Sequence, residues 1–180
     1  MTSKKQVLTA IFFAAIFINQ LAVADVGIGV SATSDEAWIY FPVNISPSLR
    51  VEPAFRYGKD EEVESFGDEK IEFFELSFGL FGRKKADNDV GIYYGARLSY
   101  IKREAEQKSD FSSFHEETKG YRISPTLGVE YFITKSFSLG AEAEWYYFDL
   151  DGEERNDNNK FDLENKRTGS GSRMLVRYIF

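Results

Sequence analysis

Apolar and polar residues alternate with a period of two along most of the chain from residue 25 onward. In 49–57 the apolar residues occupy the odd positions, whereas Arg50, Glu52 and Arg56 share the opposite face. A period of two is typical of a β-strand whose two faces meet different surroundings. The same alternation recurs in 92–100, 121–131, 137–147 and the final segment 173–180.

Alternation and turn residues together predict eight strands. They lie near 26–33, 37–44, 48–59, 70–82, 90–104, 118–133, 136–150 and 168–180. Short connections at 45–47, 84–89 and 134–136 alternate with longer acidic ones at 60–69, 105–117 and 151–167, with a brief exception at 34–36. This order predicts an all-β fold, an eight-stranded antiparallel up-and-down barrel with short turns at one end and long loops at the other.

Two of the predicted strands alternate less regularly. The segment 37–43 is apolar on both faces apart from Pro42. The segment 71–81 places Phe73, Glu75 and Phe81 together on its presumed inner face.

The composition favours a barrel whose apolar face contacts lipid. Aromatic residues make up 16% of a chain with a mean hydropathy of only −0.35, and girdles at two membrane interfaces would use them. The alternative is a soluble sandwich or lipocalin-like barrel, in which the apolar face forms the core. The terminal Phe180, the aromatic-rich apolar face and the unequal loop lengths favour the membrane barrel.

Residues 1–24 are predicted to be a cleaved signal peptide. Two lysines precede an apolar stretch at 7–18, and the small residues Ala22 and Ala24 follow it. An uncleaved anchor is the alternative, although the stretch is short for a spanning helix. Residues 25–180 then form one barrel domain. Because the removed segment carries two lysines and no acid, the net charge changes from −7 to −9, which disfavours nucleic acid as a partner.

These features resemble the small outer-membrane β-barrel family of Gram-negative bacteria, which includes the OmpA transmembrane domain and OmpX-like proteins and is often filed as porin-family barrels. The resemblance covers 25–180 and rests on the signal peptide, the segments 38–42 and 50–53, and the alternating ending Met174, Val176, Tyr178 and Phe180. It implies an outer-membrane location, contact with outer-membrane lipid and lipopolysaccharide, and a C-terminal insertion signal read by the barrel assembly machinery. We expect a monomer.

The inward-facing positions of this barrel carry charges of both signs. They are Arg50, Glu52, Arg56, Glu75, Arg97, Arg122, Glu130, Glu142, Glu144, Arg173 and Arg177. The interior of an eight-stranded barrel is just wide enough for side chains to fill, so we expect a salt-bridge network that closes the lumen. A narrow ion path through the network is the alternative.

Two loop clusters are candidates for other chemistry. His115 lies near Asp110, Ser112 and Ser113, the residue types of a lipid-modifying enzyme, but residues this close along one loop lack the rigid placement of a triad. The acidic stretch 149–162 offers oxygen ligands for calcium or magnesium without the EF-hand spacing. We expect a solvated loop there, with divalent bridging to lipopolysaccharide as the alternative.

The sequence thus predicts a non-enzymatic outer-membrane barrel with a closed charged lumen, no cofactor and no metal. Its role would be envelope integrity or surface interaction through the extracellular loops. A narrow ion or small-solute channel and a lipid-modifying outer-membrane enzyme are the two alternatives.

Overall fold

The described part of the protein is a single antiparallel β-sheet. The computed structural model describes residues 25–32, 37–64, 67–108, 113–156 and 159–180. The predicted signal peptide at 1–24 lies outside these residues. The strands are β1 (Asp25–Ala32), β2 (Ala37–Tyr40), β3 (Val43–Ser46), β4 (Leu49–Glu64), β5 (Gly67–Lys85), β6 (Val90–Lys108), β7 (Ser113–Phe132), β8 (Phe137–Asn156) and β9 (Asn159–Ile179).

The sheet closes on itself, which confirms the predicted eight-stranded barrel. Each strand from β3 to β8 pairs with the next in sequence, and β9 pairs with β1 in a register that places Ile28 opposite Tyr178. The short strands β2 and β3 together form the second barrel strand, because both pair with β1 and β4. The interruption lies at Phe41 and Pro42, and proline has no N–H to donate to a ladder.

The two faces of the barrel have the predicted orientation. Apolar side chains such as Leu98 and Leu127 lie on the outside, with 58% and 48% of their surface exposed. Charged side chains such as Arg97 and Glu52 lie inside, with 2% and 0% exposed. A soluble barrel would bury the apolar face instead, so the structure excludes that alternative.

The outer apolar face has the height of a bilayer core. Tyr121 and Tyr131 on β7, and Phe137 and Tyr147 on β8, each lie ten residues apart on the outer face. Ten residues span about 33 Å along a strand, or about 25 Å along the axis of a barrel with a strand tilt near 40°. Aromatic side chains mark both edges. The upper girdle contains Tyr57, Phe74, Tyr100, Tyr121 and Tyr147, and the lower one contains Tyr94, Tyr131, Tyr178 and Phe180.

The prediction of three long loops is wrong. The segments 60–69, 105–117 and 151–167 are largely strand, and their pairing continues to the pairs Glu64↔Gly67, Lys108↔Ser113 and Asn156↔Asn159. The high charge of these segments favoured loops. In the folded protein, however, acids and lysines of neighbouring strands face each other on the outer surface, so a charged segment can remain paired.

The outer face changes from apolar to ionic just above the upper girdle. Lys102 contacts Glu104 and lies 3.5 Å from Glu117, while Lys160 lies 2.6 Å from Glu153. Hydrogen bonds from these lysines lower the pKa of the Glu104 and Glu153 carboxyls. Exposed pairs of this kind contribute little to stability. They show that this part of the wall meets water or lipid headgroups, and the hairpins rise about 20 Å above the girdle at the same tilt.

The apolar band gives a depth-dependent prediction. Leu127→Arg places a guanidinium near the middle of the band and should destabilise the folded barrel by about 2–4 kcal/mol. Tyr121→Arg, on the same strand and face but at the girdle, should cost at most about 1 kcal/mol. Urea unfolding in liposomes, followed by the gel migration of folded and unfolded protein, measures both. Equal losses for the two variants would contradict the assigned band.

Candidate functional site: the charged lumen and its vestibule

A network of charged side chains fills the middle of the barrel. The structure places all eleven predicted lumen residues on the inner face and brings them into one chain of ion pairs. Even positions of β4, β7 and β8 and odd positions of β5, β6 and β9 point inward, as the strand register requires. We call this group the lumen network.

The centre of the lumen network is a four-residue cluster. The Nη2 of Arg97 lies 2.8 Å from Glu52 Oε1 and 2.7 Å from Glu142 Oε1. Arg177 approaches the same two carboxylates, with Nε 3.0 Å from Glu52 Oε2 and Nη2 3.1 Å from Glu142 Oε1. Each of the four side chains is at most 2% exposed. Two cations and two anions from four different strands are thus joined across the barrel.

The network continues toward the end that holds the short turns. Arg50 donates from Nη2 to Glu130 Oε2 at 2.9 Å and from Nε to Asn44 Oδ1 at 3.0 Å. Ser138 donates its hydroxyl to the other oxygen of Glu130 at 2.7 Å. Arg177 Nη1 lies 3.6 Å from Glu130 and therefore connects this group to the central cluster.

Toward the opposite end, arginines and glutamates alternate. Arg173 lies 3.5 Å from Glu142 and also contacts Glu144, which in turn contacts Arg122. Arg122 Nη1 lies 3.9 Å from Glu75 Oε1. Arg56 closes the series with its Nη2 2.8 Å from Glu75 Oε2.

Aromatic rings cover the faces of the arginines. The Arg97 guanidinium carbon lies 5.0 Å from the centre of the Tyr40 ring and 4.8 Å from that of Phe81. Arg56 lies 5.0 Å from the ring of Trp38 and 4.8 Å from that of Phe73. A desolvated cation over an aromatic face gains about 2 kcal/mol. The rings therefore stabilise buried guanidinium groups that carboxylates cover only in part.

Tyr93 links the wall to the centre of the network. Its ring lies over Gly128, its partner across β6 and β7, where a Cβ atom would collide with ring carbons. Lying flat on the glycine, Tyr93 reaches Glu142 and donates its hydroxyl at 2.8 Å, while it accepts a hydrogen bond from Arg177 at 3.2 Å. A side chain at 128 would displace this ring and its two hydrogen bonds.

Above the lumen network lies a cavity of about 710 Å³ that we call the arginine vestibule. Its lining includes Arg103 and Arg167, which are not among the lumen residues predicted from the sequence. Arg103 has the inward parity of Arg97 on β6, and Arg167 has that of Arg173 on β9. Arg103 lies within the predicted strand 90–104, and continuing the alternation of the last predicted strand one residue back from 168 reaches Arg167. A smaller cavity of about 310 Å³ lies at the turn end beside Arg83 and Glu130.

The two loop clusters are on the outside of the barrel. His115 lies in β7 at an outward position, with its Nδ1 3.5 Å from Glu106 Oε1. Asp110 and Ser112 lie outside the described residues, and so does the side chain of Ser113. Within the acidic stretch, carboxylate oxygens of Asp149, Asp151 and Glu164 lie within 4.8 Å of one another.

That acidic group already has a cation. Lys166 lies 3.9 Å from Asp149 and contacts Glu164. The ammonium neutralises part of the charge that would attract a divalent ion.

The C-terminal residues Met174, Val176, Tyr178 and Phe180 all face outward. The first three belong to β9, where it pairs with β1 and closes the barrel, and the rings of Tyr178 and Phe180 meet edge to face at 5.4 Å. Their use as an insertion signal stays a prediction.

Comparison with known proteins identifies the fold. No family model matches the chain, and no curated protein matches it. The solved structure of a major outer membrane protein from Thermus thermophilus is similar, with a TM-score of 0.61 at 12% identity, covering 88% of this chain and 100% of that one. Neisserial surface protein A is also similar, with a TM-score of 0.55 at 18% identity, covering 87% of this chain and 94% of that one.

At these identities the comparison shows the fold alone. Both neighbours are bacterial outer-membrane or surface proteins, and the lipid-facing band of this chain agrees with that setting. The comparison and the band together support location in the bacterial outer membrane. The chain has the fold of the small bacterial outer-membrane β-barrels.

Proposed function

We propose that the protein is a closed, non-enzymatic outer-membrane barrel that supports the envelope and presents its long hairpins as an interaction surface. The observation that carries the proposal is the lumen network. Its central residues Glu52, Arg97, Glu142 and Arg177 are bonded to one another across the barrel axis. An ion moving through the centre would have to break these contacts.

The extended hairpins supply the contact surface. Their outer faces carry acids and lysines in close succession, such as Glu117, Lys119, Asp151 and Glu153 on β7 and β8. Rigid paired strands present such groups at fixed spacing, which favours binding to an ordered charged surface. We propose lipopolysaccharide headgroups as one partner, with divalent cations screening the acids.

The first prediction of this proposal concerns conduction. The purified protein, reconstituted in a planar bilayer, should show no discrete current steps. The double variant Arg97→Ala/Glu142→Ala removes one cation and one anion from the centre and should produce such steps. Glu117→Ala/Lys119→Ala makes the same change on the outer face and is the matched control. Steps from the unmodified protein that change with Arg97→Gln alone would establish the channel alternative instead.

The second prediction concerns the stability of the lumen network. Glu52→Gln removes the negative charge shared by Arg97 and Arg177 and leaves both guanidinium groups short of a partner. Loss of one member of a buried ionic group costs about 3–5 kcal/mol, to be measured by urea unfolding in liposomes. Glu164→Gln, an exposed acid beside Lys166, should leave the unfolding midpoint unchanged. A Glu52 variant as stable as the unmodified protein would show that the network is not needed for folding.

The third prediction concerns the hairpins. Deleting 105–106 together with 115–116 removes two cross-strand pairs, one of which contains His115. Because two residues are removed from each strand, the remaining residues keep their inward or outward orientation. The shortened barrel should still show heat-modifiable gel migration, yet a strain carrying it should be as sensitive to detergent as a deletion strain. Full resistance would contradict a role for the hairpin.

The same strains test the lipid-modifying alternative. We expect identical lipid A and phospholipid profiles with the full-length and shortened protein, because His115 faces outward beside Glu106 rather than into a cavity. A profile that changes when these four residues are deleted would favour an enzyme.

A further inference from the structure

The arginine vestibule has a composition unlike the rest of the protein. Five arginines line it, at positions 56, 103, 122, 167 and 173, and Glu144 is the one acid among its described lining residues. The chain as a whole carries a net charge of −7. A concentration of guanidinium groups in one cavity of an acidic protein creates a local positive potential.

The carboxylates near the vestibule neutralise only part of this charge. Glu75 is buried in the lumen network and bonds Arg56, and Glu144 contacts both Arg122 and Arg173. The Nη1 of Arg103 lies 3.8 Å from Glu116. Glu142 lies 3.5 Å from Arg173, and Glu75 lies 3.9 Å from Arg122. Every carboxylate of this group except Glu116 is shared with another arginine, and none of them contacts Arg167.

Arg167 stands out among these cations. Within the described ranges, no carboxylate lies within ion-pair distance of its guanidinium, and the residue is exposed at the mouth of the cavity. Arg103, on the inner face of β6, has 47% of its side chain exposed. Guanidinium donors with this exposure can bind an incoming acidic group without first breaking a buried pair.

The wall that β8 contributes to the vestibule is largely apolar, whereas β9 contributes Asn165, Ser170 and Ser172. The rings of Tyr146 and Phe148 are stacked 6.1 Å apart with an angle of 11° between their planes, and the Arg122 guanidinium lies 4.4 Å from the centre of the Tyr146 ring. Ile101 and Leu150 also line the cavity. Ligand sites are commonly apolar cavities of about 300–1,000 Å³ with a few placed polar groups, and this cavity has both properties.

We propose that the arginine vestibule binds an amphipathic organic anion, with its carboxylate, sulfonate or phosphate at Arg103 and Arg167 and its apolar body against Tyr146 and Phe148. The ligand enters from the hairpin end and stops at the lumen network, so it is held rather than transported. This site is inside the barrel mouth and is separate from the outer hairpin faces of the proposed function. The ligand is either a soluble aromatic acid or a fatty acid released from the membrane.

Tryptophan fluorescence can test the site directly. Trp38 lies on the vestibule floor, and the centre of its ring is 5.3 Å from the guanidinium carbon of Arg173. Trp145 faces lipid. In a Trp145→Phe background Trp38 is the sole reporter. We use 4-nitrobenzoate as the soluble probe and a doxyl-labelled fatty acid as the lipid probe, both quenchers, with the protein in nanodiscs of zwitterionic lipid.

The expected result is saturable quenching by at least one probe. Arg103→Gln/Arg167→Gln should weaken the apparent affinity of the protein for that probe by about tenfold or more, since the loss of a single charge-assisted hydrogen bond is already worth roughly that factor. The matched control Lys102→Gln/Lys166→Gln changes the neighbouring cations on the same strands, which face outward, and should leave the affinity unchanged. Saturation by 4-nitrobenzoate identifies a soluble acid, and saturation by the fatty acid identifies a membrane source.

Three outcomes would overturn the inference. The first is quenching that rises without saturation for both probes, and the second is equal affinity in the arginine and lysine variants. The third is saturable quenching by the uncharged 4-nitrobenzamide equal to that by 4-nitrobenzoate. Heat-modifiable gel migration of every variant excludes misfolding as the cause. Failure here would leave the closed barrel untouched, because the bilayer conductance measurement tests that proposal separately.

Discussion

The structure depends on one constraint, which is that ionic side chains of both signs share a narrow lumen enclosed by a hydrogen-bonded wall. Closure of β1 against β9 satisfies the backbone in lipid, but it also removes the inner side chains from bulk water. A single unpaired charge there would be costly. The central cluster avoids that cost by joining Arg97 and Arg177 to two shared carboxylates, and its bonds tie together strands that are distant in sequence.

The alternation of apolar and polar residues with a period of two was sufficient to predict the strands of the barrel wall and the residues that face the lumen. Once one face of β4 holds Arg50 and Glu52 and the other holds leucine and valine, lipid outside and charge inside follow from the cost of exposing ions to hydrocarbon. The contacts were not predictable. Which glutamate meets which arginine depends on the tilt of the barrel, and the bond between Arg50 and Glu130 joins residues 80 positions apart.

Local composition and the tertiary environment disagree in the segments whose structure differs from the prediction. The charge of the segments above the membrane predicts loops, but cross-strand pairs such as Lys160 with Glu153 let strands continue through them. The irregular alternation of 37–43 and 71–81 has a related cause. Trp38, Tyr40, Phe73 and Phe81 point inward because a guanidinium lies on each ring, so an aromatic residue on the polar face is part of the network rather than a break in the pattern.

Arginine has two roles along the barrel axis, and the membrane boundary separates them. Below the upper girdle the guanidinium groups of the lumen network are held by carboxylates and rings, since lipid surrounds the wall and little water is near to solvate an excess charge. Toward the hairpin end the cavity opens to water, and its described lining has five arginines and one carboxylate. Water can solvate an excess cation there, and for the same reason an external anion can reach it. In the closed barrel that we propose, the lumen network forms the floor of the arginine vestibule, so that the vestibule ends as a cavity instead of continuing as a pore.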